Sequence, residues 1–323
     1  MLENSLRVKN LPNEVNDLII ASLRESTRIV YNPAIRLWME YCKRNNKNCF
    51  KTDTNSLICF LHEAYKRGCG HSRLGVLRAA VSAFAQVSSD NSSALTRYMK
   101  GVFNTRPPLP KYTSIWDTDK LFKFFDSQTE VTAKLLTYKA VLLLLLLSAQ
   151  RKQLTTSIII DNIKFHNEQL IILPNKLQKH NKPGRNIDPL IFKSFKMNEK
   201  FCIVKTFKDY IKFRQDIAPP STNQLFMTIK LYKGLARPAT ENTISRWVIE
   251  CLNLAGIDTN QFKCHSTRSA SSSKAVSRGV SRADILKRGC WKSNSTFAKH
   301  YSKHIIKSNI YPNETGDNLH TPI

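Results

Sequence analysis

Acidic side chains are scarce in this 323-residue sequence: 24 Asp and Glu face 50 Lys and Arg, a formal net charge of +26. That deficit does not determine a fold, but it makes the chain attractive to polyanions, nucleic acid first and an anionic membrane surface second. Long apolar runs are missing as well. The longest, residues 140–147, is far shorter than the roughly 20 residues that cross a bilayer. The opening MLENSLRVKN lacks the apolar centre of a secretory signal. No membrane partner is therefore expected. The eight cysteines, Cys42, Cys49, Cys59, Cys69, Cys202, Cys251, Cys264 and Cys290, contain no CxxC pair, which points to reduced thiols in a cytosolic or nuclear protein. Cys264, His265, Cys290 and His300 fit no zinc finger or ribbon spacing. No carboxylate cluster suited to Mg²⁺ stands out, so neither a metal nor a cofactor is expected. The chain has no internal repeat.

What is present is a helical first part. Residues 26–46, 52–68, 71–89 and 92–103 carry apolar residues at spacings of three and four. Pro33 sets the expected start of the first of these helices near Asn32. Together they predict a four- or five-helix bundle over residues 1–104. The stretch NTRPPLPKYT, with three prolines in four positions, predicts an extended linker over 105–114, flanked by Arg106 and Lys111. Beyond it the pattern is mixed. Helices are expected at 118–127, 130–148, 201–215, 241–255, 267–277, 282–288 and 295–304. Strands are expected at 156–160, 169–173 and 187–191, around a basic turn-rich segment, KLQKHNKPGRN. The fold class is mainly α with a small β-sheet, an α+β pattern. Residues 115–307 form the second domain, and 308–323 a polar, flexible tail.

The stretch HSTRSASSSK sets His265 and Arg268 one helical turn apart at the head of a small-residue helix. Read blandly, Ser266 or Thr267 is a helix cap. Read chemically, Arg268 lies in a first turn whose amides and dipole favour an anion, and its fork can hold two oxygens of one phosphate. His265 can move a proton at neutral pH. Downstream, GCWKSNSTFAKHYSKH carries Trp291 and Tyr301, with Phe297 one turn before the tyrosine, a spacing that commonly means packing. Upstream, the apolar helix ends in SAQR and delivers Arg151 to a cleft, or else to the helix's own last carbonyls. Lys176, Lys179 and Lys182 on the basic turn offer a general acid, and at least two of them must be holding phosphates.

This order, Arg151, Lys179, His265-x-x-Arg268, Trp291 and Tyr301, resembles the catalytic set of the tyrosine recombinases, the phage-integrase-like enzymes. The likeness covers roughly residues 20–305, and the block from HSTR to the tyrosine is its specific part. Within that superfamily, RESTRIVYNPAIRLWMEYC, KYTSIWD, SAQR, HNKPGR and HSTRSASSSKA followed by ADILKRGCW and STFAKHY are most similar to recombinases of eukaryotic DIRS-like and Crypton-type mobile elements. The resemblance implies a SAM-like core-binding domain followed by an integrase-like catalytic domain. In that reading Arg151 and Arg268 clamp the scissile phosphate and His265 assists proton transfer. Lys179 protonates the leaving 5′-oxygen, with Lys176 and Lys182 as alternatives. Trp291 stands where a histidine is common, and Tyr301 attacks phosphorus. Lys176, Lys182, Arg185, Arg73 and Lys111 would contact the duplex. Double-stranded DNA, a dimer to tetramer on that DNA, and a nuclear location are expected. Two departures stand out. Leu154 occupies a place where many members carry an acidic residue. Tyr301 lies one residue further from Trp291 than is common, with His300 in the usual slot. An inactive DNA-binding derivative is the alternative. An RNA-binding or membrane-surface protein would need RNP-like aromatics or a Lys-rich amphipathic helix, and neither is evident.

Overall fold

The computed structural model describes residues 2–3, 11–88, 90–110, 112–173, 188–231, 234–291 and 294–306, without the side chains of Thr296, Lys299 and His300. The chain divides into two compact units, residues 1–110 and 111–323.

In the first unit, after α1 (Asn13–Ala21), the helices α2 (Glu25–Arg44), α3 (Thr54–Lys66), α4 (His71–Phe84) and α5 (Ser92–Thr105) surround one core. Trp38 is fully buried at its centre. It stacks on Tyr41 at 5.6 Å and meets Phe60 edge-on at 5.2 Å, while its indole N–H donates to the Cys49 carbonyl at 2.9 Å. Such aromatic pairs add to the gain from buried area. Asp53 caps α3, accepting from the Ser56 amide and hydroxyl at 2.7 Å each, and these bonds hold its carboxyl below the ordinary value. Two short strands, β1 (Lys51–Thr52) and β2 (Gln86–Val87), pair in parallel. The expected start of α2 at Asn32 is corrected to Glu25, with Pro33 inside the helix. α1 was not foreseen, and α5 carries regular structure as far as Thr105.

The second unit begins with β3 (Ser114–Trp116), α6 (Thr118–Asp126) and α7 (Ala133–Ser148). Residues 140–145 of α7 are all essentially sealed from solvent, and α8 (Ile203–Ile217), α9 (Glu241–Leu254) and α10 (Ser266–Ser277) pack around it. β4 (Ile163–His166), β5 (Gln169–Ile172) and β6 (Leu190–Lys193) form an antiparallel sheet. Leu170, Ile172, Leu190 and Phe192 face its core, and Ile191 faces out, the alternation a half-covered sheet requires. α11 (Arg282–Arg288) and α12 (Asn294–His300) follow, and the described chain ends in β7 (His304–Ile306).

Three expectations change here. The β-branched segment 156–160 is not a strand: 3₁₀ turns occupy Lys152–Ser157 and Ile160–Asn162. The hydroxyls of Thr155, Thr156 and Ser157 donate back to the carbonyls of Lys152, Gln153 and Leu154, a local alternative to strand pairing. The third strand lies at Leu190–Lys193 rather than at 187–191. The helix expected at 295–304 stops at His300, and His304–Ile306 instead pairs in parallel with Ser114–Trp116.

Candidate active site

The small-residue helix α10 is almost wholly internal. Ser266, Thr267, Arg268, Ser269, Ala270, Ser272 and Ser273 are all buried, and the Arg268 side chain has no solvent exposure. A helix can sink this deep with a polar face only if each polar group finds a partner. The Ser266 hydroxyl accepts from the Trp116 indole at 2.9 Å, Thr267 donates to the Cys264 carbonyl at 2.8 Å, and Ser271 donates to the Leu146 carbonyl of α7. Lys274 reaches Asp117 at 2.9 Å and Asp119 at 2.6 Å.

Arg268 lies at the crossing point. Its terminal nitrogens donate to the carbonyls of Ala149 at 2.7 Å and Gly289 at 2.6 Å. Two unusual backbone turns present those carbonyls. Ala149 ends α7 in the left-handed region at φ 50°, a conformation that costs a non-glycine residue about 1–2 kcal/mol. At the end of α11 the amides of Cys290 and Trp291 return to the carbonyls of Lys287 and Leu286 at 3.1 and 3.0 Å, with Cys290 at φ 55°. This is a Schellman closure with cysteine where glycine is usual. The glycine stands one position earlier, and close packing explains why. A Cβ on Gly289 would lie 1.8 Å from the Trp291 ring. Gln150 ties the two turns together, its amide donating to the Arg288 carbonyl at 2.8 Å and meeting the Cys290 sulfur at 3.2 Å.

Trp291, Tyr301 and His265 complete the cluster. The Arg268 guanidinium carbon lies 3.9 Å from the Trp291 ring centre and 5.1 Å from that of Tyr301, so both rings offer it their faces. The two rings meet at 5.0 Å, and Phe297, fully buried, braces Trp291 at 5.1 Å. The Tyr301 hydroxyl is 3.4 Å from His265 Nε2, and the Arg268 guanidinium lies over the Tyr301 ring. Arg151 follows the left-handed Ala149 by two residues and is half-buried. Burial pulls the Arg268 pKa down to about 10, and the nearby Arg151 charge deepens the fall, opposed by Tyr301 and Cys290. Two cations held this close with so little acid beside them suit a bound anion. Arg268 Nε and Trp291 Nε1 are buried donors without an acceptor among the described residues.

The structure thus brings Arg151, His265, Arg268, Trp291 and Tyr301 together, across 150 residues of sequence. Two details differ from expectation. The first-turn amides of α10 are not open to an anion, because Ser266, Thr267 and Arg268 donate to Lys263, Cys264 and His265 at 2.8, 3.3 and 3.3 Å. The cap role expected of Ser266 or Thr267 is also absent, since His265 holds the N-cap position without a side-chain cap bond. The Arg268 fork grips two backbone carbonyls, which leaves Nε and the second N–H of each terminal nitrogen for other partners. Lys111, Lys176, Lys179, Lys182 and Arg185 lie outside the described residues. Arg73 is exposed on α4 in the first unit. Among the described residues no group of His, Cys, Asp and Glu could hold a metal ion, and no helix is long and apolar enough to cross a membrane. Ala149, Gln150, Gly289 and Ser269, Ser271, Ser272 and Ser273 of α10 were not singled out in the sequence. The run SASSSK was the available signal, because so many small polar residues on one helix mark close approach of neighbouring backbone.

No family model and no curated protein matches the sequence. Solved structures do. A lambda integrase dimer bound to a COC′ core site matches with TM-score 0.53 at 13% identity, over 94% of this chain and 98% of that one. The fold is that of lambda integrase. XerH site-specific recombinase in a post-cleavage complex with palindromic difH matches at 0.51 and 17% identity, over 76% of this chain and 67% of the other. The Tn1549 transposon integrase with circular-intermediate DNA matches at 0.51 and 12%, over 83% and 94%. At these identities the likeness is one of architecture, a mainly helical fold with small sheets.

Proposed function

We propose that this protein cuts and rejoins double-stranded DNA through a covalent 3′-phosphotyrosine intermediate, with Tyr301 as nucleophile. The observation that carries the reading is the Tyr301 hydroxyl 3.4 Å from His265 Nε2, with the Arg268 guanidinium over the tyrosine ring. The phenol proton passes to His265, and the phenolate oxygen attacks phosphorus as the P–O5′ bond breaks. The leaving 5′-oxygen takes its proton from Lys179 or a neighbouring lysine of the basic turn. Negative charge grows on the phosphoryl oxygens, where fixed guanidinium charge and the orphan N–H groups of Arg268 and Trp291 oppose it, the preorganised stabilisation that outperforms water. The phosphotyrosine bond preserves the energy of the original ester, so a 5′-hydroxyl of another strand reverses the attack. The net charge of +26 supplies the sequence-independent hold on the phosphate backbone.

The neighbours described above are DNA complexes, and one is a dimer. They support a duplex substrate and assembly of at least two protomers. The resemblance of its motifs to those of DIRS-like and Crypton-type recombinases supports a mobile-element origin and a nuclear site of action. The second reading, a derived DNA-binding protein without catalysis, draws on the engaged state of the Arg268 fork.

The test is covalent capture. The full chain is incubated with nicked duplexes of randomised sequence, and DNA that stays attached under denaturing conditions is recovered and sequenced. The wild-type chain should retain a defined set of duplexes, and Tyr301→Phe should retain none while still shifting the same duplexes on a native gel. Capture by Tyr301→Phe equal to wild type would overturn Tyr301 as nucleophile, and no capture by wild type would leave the binding-only reading.

A further inference from the structure

α12 ends at His300, and Tyr301 is the first residue beyond it. The amides of Tyr301 and Ser302 both return to the Phe297 carbonyl, at 2.8 and 3.2 Å, so the Tyr301 carbonyl belongs to the last turn and must find a partner elsewhere. It finds two, both on α10. Ser273 Oγ donates to it at 3.0 Å and Ser272 Oγ lies 2.9 Å from it. The two serines do different things. Ser272 Oγ is also 2.8 Å from the Arg268 carbonyl, and a single hydroxyl proton serves one acceptor at a time. Ser273 has no such competition. It donates to Tyr301 and accepts from the Lys303 amide at 2.9 Å. One hydroxyl therefore engages the backbone on both sides of Ser302, where the helix gives way to β7.

Resting on the reading of Tyr301 as nucleophile, we propose that Ser273, assisted by Ser272, is the positioning residue that sets the phenol against Arg268 and His265. Ser273 lies on the helix that carries Arg268, five residues on, and both side chains are buried. The nucleophile's backbone and the guanidinium are thereby referred to one rigid element. A reaction that depends on in-line attack is sensitive to this, because displacement by about 1 Å can cost 10²-fold in rate. Ser273 touches neither the phenol oxygen nor the reacting phosphate. Its effect should fall on the covalent step and leave DNA affinity alone.

Two readouts test this. On a duplex recovered by covalent capture, single-turnover adduct formation is measured at saturating protein for wild type, Ser273→Ala, Ser273→Thr and the double variant Ser272→Ala/Ser273→Ala. Binding is measured on the same duplex with Tyr301→Phe added to each. Ser273→Ala should slow the covalent step by about tenfold or more, and the double variant should approach 10²-fold. Dissociation constants should remain within about twofold, and Ser273→Thr, which keeps the hydroxyl, should stay near wild type. Equal rates for Ser273→Ala and wild type would overturn the proposal. So would equal slowing by Thr and Ala, which would assign the effect to packing. Independently of DNA, 3-fluorotyrosine placed at 301 should give a ¹⁹F resonance that moves towards that of an exposed tyrosine in the double variant. An unmoved resonance would overturn the proposal even if adducts fail to form. An absent wild-type adduct with a shifted resonance would sink the nucleophile assignment and leave the serine clamp standing.

Discussion

Helices α7 and α10 lie against each other in the second unit, and both are buried, by opposite chemistry. α7 is sealed by leucines: residues 142–145 are each at most 1% exposed. α10 is sealed by serines, a threonine, an arginine and a lysine, which meet an indole, backbone carbonyls and a carboxylate. The apolar helix is held by an attraction proportional to area and indifferent to direction. The polar one is held by bonds that fail when an atom moves, because a buried polar group left unpaired bears the whole cost of its desolvation. The candidate site is built on the second kind. Side chains that a site must present in one direction need fixed geometry more than they need adhesive area.

Substitutions should separate the two kinds of burial. The largest loss is expected at Arg268. Arg268→Met is close in length but removes two charge-assisted bonds worth roughly 1.5–3 kcal/mol each and strands the carbonyls of Ala149 and Gly289. Urea unfolding should show a deficit of about 3 kcal/mol or more, and a deficit under 1 kcal/mol would mean that the arginine is a passenger. Next comes Leu144 in α7, where Leu144→Ala should cost about 2–5 kcal/mol but Leu144→Met less than about 1.5. That tolerance of a change in shape at equal volume is what α10 should lack. Gly289→Ala should cost about 1–3 kcal/mol by overpacking and should displace the indole, read as a change in Trp291 fluorescence. An unchanged spectrum would contradict the close approach.

The smallest effect concerns the ion pair that anchors α10 to the start of α6. Burial works against the Asp117 carboxylate, but the Lys274 ammonium and the Asp119 amide more than offset it, and its pKa falls below the ordinary 3.8. Burial also works against Lys274, yet Asp119 and Asp117 raise it above 10.5. The depressed carboxylate contributes stability that is complete above 3.8 and fades as pH drops through its folded value. The raised ammonium contributes stability that is complete below 10.5 and fades as pH climbs through its folded value. Lys274→Met should flatten both flanks of the unfolding profile, and flanks that stay as steep as in wild type would remove the pair from the account.

Much of the architecture is legible in the sequence because periodicity is local. The apolar spacings of 52–68, 71–89 and 241–255 lead to α3, α4 and α9 within a few residues. The misses share one cause, a partner far away in sequence. Nothing near His304 marks it as a strand, because its partner Ser114 lies 190 residues earlier. Nothing near Thr155 argues against a strand, because hydroxyl-to-carbonyl bonds decide the outcome. In the candidate site, the order of residue types and its resemblance to the tyrosine-recombinase set singled out Arg151, His265, Arg268, Trp291 and Tyr301. Their supports were not legible. A left-handed alanine, a glycine required by an indole ring and a serine bridging two peptides are consequences of the fold, visible only once the chain has closed.

The parallel pairing of His304–Ile306 with Ser114–Trp116 joins the first strand of the second unit to the stretch just beyond the tyrosine. A polypeptide ending at Ser302 would keep every side chain of the candidate site and lose the seam that fastens Tyr301 from its far side. Closure of this unit therefore requires the chain through Ile306, and the tyrosine of the candidate site is held by a strand pairing whose second half comes after it in the sequence.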